Sequence, residues 1–236
     1  MIFGIEHIIT AGLLTLTSGG YTCPAQPAPT VVMKTRNGTP KYYYNIPSAQ
    51  LQNIQTGNAK PNHLGPNYVI GGLTHGKIQT EYSTDMYVAP VGGNAHCVSV
   101  KQITVTLDYQ PDVYIAAEYR PGSCHYNVTM QHEVQHVNLE LITLNEFLPR
   151  FQSNIQQALF SMPPPRPVPA QNVPQVQQFI QARVSQAVQQ VMEQMIRVRD
   201  SRQGGIDTPQ EYARLQQQCA HEPNPIAFPG QQHRRR

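Results

Sequence analysis

CVSVKQITVTLDYQPDVYIAAEYRPGSCHYNVTMQHEVQHVNLELITLNEFLP, residues 97–149, changes its hydrophobic period midway, and that change decides the fold class. The first half has a period of two. Val98 and Val100 share one face, whereas Ile103, Val105, Leu107 and Tyr109 share the other parity. This pattern predicts a strand with a bulge near Lys101-Gln102. Gln110-Pro111-Asp112 reads as a turn and Val113 to Tyr119 as a returning partner strand. Arg120-Pro121-Gly122-Ser123 ends the sheet. From Cys124 onward, Val128, Val134, Val137, Leu141, Leu144 and Leu148 follow the 3.6 period of a helix that ends or kinks at Pro149.

Upstream, Val31 to Thr35 and Lys41 to Ile46 read as strands, and Arg36-Asn37-Gly38 between them carries a hairpin signal. Residues 50–68 are polar and read as a loop. Tyr68 to Leu73 and Lys77 to Pro90 supply further strands. Downstream, Pro163-Pro164-Pro165-Arg166-Pro167-Val168-Pro169 suits a stiff, extended linker. Val176, Ile180, Val184, Ala187, Val188, Val191, Met195 and Val198 then form a stripe on a Gln-rich helix ending before Gly204-Gly205. Thr208-Pro209-Gln210-Glu211 is a capping box opening a short helix to about Cys219. The expected organisation is an α+β unit over residues 31–162, an antiparallel sheet packed on one helix. A leader and linker precede it at 1–30. A Pro-rich linker at 163–174, a helical segment at 175–220 and a disordered tail at 221–236 follow.

The chemistry concentrates in His132-Glu133-Val134-Gln135-His136. On a helix, positions i and i+4 differ by only ~40° in azimuth and one turn in height, so two imidazoles can reach one metal ion. Glu133 lies one step round, where a carboxylate can take the proton of an attacking water. An HExxH helix behind a sheet is the zincin arrangement. Position 139 is Leu and position 142 is Ile, which excludes the metzincin extension. The third ligand is left open. Glu140 is the first candidate, four residues beyond His136 on the same face; the span from His132 also suits it to orienting His136 from outside the ligand set. His125, Glu193, His96 and His75 are the other candidates. Tyr119 and Tyr126 flank the helix start and could stabilise an oxyanion.

Val113-Tyr-Ile-Ala-Ala-Glu-Tyr-Arg-Pro-Gly-Ser-Cys-His-Tyr, followed by the HExxH at 132–136, resembles a bacterial domain-of-unknown-function family described as predicted secreted zinc-dependent proteases. The resemblance covers roughly residues 68–150. It implies His132 and His136 as zinc ligands and Glu133 as the catalytic base.

Charge adds no partner. The net charge of +3 equals the contribution of Arg234, Arg235 and Arg236 alone, so the body is neutral and shows no electrostatic footprint for nucleic acid. Ile8 to Leu16 is too short to cross a bilayer but suits a signal-peptide core, although Glu6 and His7 stand where basic residues are usual. Four cysteines, none in a CxxC, suit disulfides in an oxidising compartment. The pairing expected is Cys97 with Cys124 and Cys23 with Cys219. The expectation is therefore a secreted or periplasmic zinc metallopeptidase acting on a peptide or protein, and not an integral membrane protein. The alternative is a non-catalytic envelope structural or peptide-binding protein that assembles through its distal helices, with self-association through residues 175–200.

Overall fold

A computed structural model describes residues 20–51, 53–54 and 70–226. The leader, most of the 50–68 loop and the end of the tail lie outside the described residues. The elements run β1 (Thr30–Asn37), β2 (Lys41–Ile46), α1 (Ser48–Leu51), β3 (Gly72–Gly92), β4 (Ala95–Ala116), α2 (Cys124–Phe160), β5 (Val168–Pro169), α3 (Val173–Ile206) and α4 (Pro209–Gln218). The architecture is mixed α/β, a sheet with its helices packed on one face.

β4 is the spine of the sheet. β3 pairs with it antiparallel along one edge, from Gly72 opposite Ile115 to Gly92 opposite Ala95. The opposite edge is shared end to end by β5, antiparallel, and by β1 and β2, both parallel. The sheet is thus mixed, which corrects the expectation of an antiparallel one. Two local turn signals misled. Asn37-Gly38 makes no hairpin: β1 ends opposite Tyr109, the Gly38 amide donates to the Tyr109 carbonyl (2.8 Å), and β2 resumes opposite Asp112 in the same direction. Nor does Gln110-Pro111-Asp112 turn the chain. β4 runs straight through it, and Pro111 faces the break between β1 and β2, where no amide donor is needed. The bulge lies where the change of parity places it. Asp85 pairs with Gln102 and Met86 with Val100, leaving Lys101 unmatched.

Every odd residue of β4 from Ile103 to Ile115 is buried, and the even ones carry Thr, Asp, Gln and Tyr on the other face. α2 covers the buried face. Ser123 caps it, its side chain accepting from the Tyr126 amide, and the helix continues past Pro149 because Phe151, Ile155 and Leu159 extend its buried stripe. α3 lies against α2 with Ile180, Val184, Val188, Val191 and Met195 in the same core. The distal stripe is therefore spent on packing within the chain. Phe151 is fully buried in this core. Phe151→Ala is expected to destabilise the fold by about 3–5 kcal/mol, read as a lower urea midpoint at unchanged m value.

Two disulfides close the structure, Cys23–Cys97 and Cys124–Cys219, in place of the pairing expected. The parallel register explains the first. Thr30 sits opposite Gln102, so the residues before each, including Cys23 and Cys97, meet at the same end of the sheet. Cys124 begins α2 only after β4 has run its full length, roughly 60 Å of strand beyond Cys97 at ~3.3 Å per residue. There it meets Cys219, the C-cap of α4. Among the described residues no helix is long and apolar enough to cross a membrane.

Candidate metal centre

The buried residues of α2 are apolar from Leu144 onward but mostly polar before it, and they include His132, Glu133, His136 and Glu140. Buried polar side chains such as these require partners, and α3 and α4 and the turn between them supply those of His132, His136 and Glu140. His132 and His136 bring their Nε2 atoms to 3.2 Å of each other, with the rings nearly perpendicular. Asp207, at the junction of α3 and α4, places Oδ1 3.1 Å from His132 Nε2 and 3.0 Å from His136 Nε2. These residues form a group that could hold a metal ion. Three donors at ~2.0–2.1 Å from one tetrahedral ion would stand about 3.3 Å apart, close to what the side chains adopt.

The surrounding contacts turn these three atoms inward. His136 Nδ1 donates to Gln203 Oε1, so Nε2 is the ring atom turned to Asp207 and the one a cation would take once its proton is displaced. Gln203 Nε2 in turn donates to the His136 carbonyl and to Glu140 Oε2, both at 3.1 Å. His132 Nδ1 is buried without a hydrogen-bond partner, and the Glu211 carboxylate stands 3.8 Å from it. Tyr212 donates its hydroxyl to Asp207 Oδ1 at 2.7 Å. Hydrogen-bonded support of this kind orients the ligands of metal centres.

Glu133 is set about 100° round α2 from His132 and turns toward β3. Thr74 Oγ1 donates to its Oε2 at 2.8 Å. The strand comes so close that a Cβ at Gly72 would lie 2.7 Å from Glu133 Oε1 and 2.5 Å from Thr129 Cγ2, so only glycine fits there. Burial raises the Glu133 carboxyl above its ordinary value, against the pull of His136, His132 and Thr74. Burial alone would lower His136, but Asp207 and Glu133 outweigh it and push it up to about 9. Asp207 is held well below the carboxylate range: the two imidazoles and Tyr212 override a burial effect of opposite sign. A cation entering the site must therefore displace a proton from His136. The affinity for a divalent metal ion is expected to rise about tenfold per pH unit from neutrality up to about pH 9 and then level off, as measured by chelator competition across pH.

The structure thus brings His132 and His136 together with Asp207, sets Glu133 on the adjoining cavity wall, and places the other ligand candidates outside this group. Glu140 faces Gln203 and holds His136 through it; its carboxyl is raised by burial, partly offset by Arg199 and Gln203. His125 stacks on Tyr119, with Nε2 3.3 Å from the Glu222 carbonyl. Glu193 is exposed on α3. His96 lies at the far end of β4, and His75 sits in the sheet opposite Asp112. Tyr119 lines the cleft beside Glu133, and Tyr126 packs against Tyr44. Asp207 is the residue that sequence reasoning missed. Its signal was an acid immediately before the Thr208-Pro209 capping box, at the hinge between two helices. No protein-family model, curated protein or solved structure matches the chain.

Proposed function

We propose that the chain is a zinc-dependent peptidase of an extracytoplasmic compartment. The convergence of His132, His136 and Asp207 beside the buried carboxylate of Glu133 carries this reading. Two imidazoles and one carboxylate oxygen suit zinc in a hydrolytic site, with a further position left for water or substrate. A bound ion would supply Lewis acidity, polarising a carbonyl and making water a nucleophile near neutral pH. Glu133 would take the proton of the attacking water as its oxygen bonds to the carbonyl carbon. It would return that proton to the amide nitrogen as the C–N bond breaks. The outer edge of β3 carries no strand partner among the described residues and begins at Gly72 and Thr74, beside Glu133. An extended peptide could add there as a further strand. The two disulfides favour an oxidising compartment.

In a structural role without catalysis Asp207 would serve only as the buried partner of the two imidazoles, and activity separates the two readings. The test is cleavage of a fluorogenic peptide library by the full chain, before and after stripping with a chelator. Activity lost on stripping and restored by one equivalent of zinc supports the proposal. Cleavage indifferent to the chelator, or none by a protein that holds zinc, refutes it.

A further inference from the structure

The cavity next to the metal centre extends beyond the groups used for chemistry. His132, Glu133 and Tyr212 form one wall. The remainder runs between the start of β3, the first turns of α2 and the end of α4, and is lined by Ile70, Tyr119, Val128 and Leu215 with the neutral amides of Gln216 and Asn224. Among the described residues no Lys, Arg or Asp side chain lines it, and Glu133 is its only carboxylate. The second imidazole there, His125, is turned to the Glu222 carbonyl. The floor is fixed in place. A Cβ at Gly71 would lie 2.5 Å from the Tyr119 ring, so strand and ring are already in close contact. Cys124–Cys219 ties the end of α4, and with it Leu215 and Gln216, to the start of α2.

We infer that this cavity is a substrate subsite that accepts a small or medium apolar side chain on the residue next to the scissile bond. The inference rests on the peptidase reading and names its substrate class: polypeptides with a Val- or Leu-like residue at that position. A charged side chain would lose its water and find no partner of opposite sign, apart from Glu133, which the chemistry needs. The cavity, about 50 Å³, has room for roughly three to five waters, which fits a leucyl side chain.

Amino-acid hydroxamates test this without requiring turnover, because the hydroxamate can anchor on zinc while the side chain samples the cavity. The glycine, leucine, lysine, aspartate and tryptophan hydroxamates would be titrated calorimetrically into the zinc-loaded full chain. The leucine compound is expected to bind roughly tenfold or more tighter than the others. Leu215 is only partly buried, so Leu215→Glu can fold, and it should abolish the leucine preference and favour lysine. Equal binding across the series, or a lysine preference in the wild type, overturns the subsite and leaves the metal reading intact. A wild-type chain that takes up no zinc overturns the peptidase reading and the subsite with it.

Discussion

Glu133→Gln is expected to lower kcat by about 10²–10⁴-fold while leaving zinc affinity within a fewfold of wild type. The amide has the shape of the carboxylate and can still accept from Thr74, whose hydroxyl lies 2.8 Å from Oε2. What it loses is the ability to take a proton from water. Glu133 is not among the three converging ligands, so metal uptake should not follow the loss of activity. Steady-state kinetics on a cleaved peptide, set beside a chelator-competition titration, separates the two effects. Unchanged kcat would show that Glu133 is not the base; lost zinc would show that it belongs to the ligand set.

The second large effect is expected at Asp207. Asp207→Ala removes the oxygen that lies 3.0–3.1 Å from both imidazoles. Zinc affinity should fall by at least about 100-fold, more than the 10- to 100-fold typical of residues that only support a ligand. Glu140→Gln should fall within that milder range, since the hydrogen-bonded link from Glu140 to His136 runs through Gln203. The order of the two variants decides between the carboxylate nearest in sequence and the one nearest in space. Were Glu140→Gln the more damaging, Asp207 would lose its place as third ligand.

The contrast between these residues shows which features could be read from the chain and which could not. Alternation from Ile103 to Tyr109 reports burial on one face, a local property, and the strand and its bulge follow from it. The helical stripe likewise places His132, Glu133 and His136 on the side of α2 that turns inward. Strand partners are another matter. Asn37-Gly38 and Gln110-Pro111-Asp112 satisfy the local chemistry of turns, yet each lies at the break between two collinear strands on the edge of β4. Only the long-range register reveals that break, and the same register pairs Cys23 with Cys97. Asp207 was hidden for a related reason. It lies 71 residues beyond His136 and reaches it because α3 runs back along α2, through contacts among Ile155, Ile180, Val184 and their neighbours that no local pattern specifies.

X-ray absorption at the zinc edge on the zinc-loaded protein tests the central claim most directly. The account predicts one ion per chain with two imidazole nitrogens and carboxylate or water oxygens at ~2.0–2.1 Å, and no sulfur. A shell containing sulfur, a shell with fewer than two imidazoles, or failure to hold zinc stoichiometrically would contradict it.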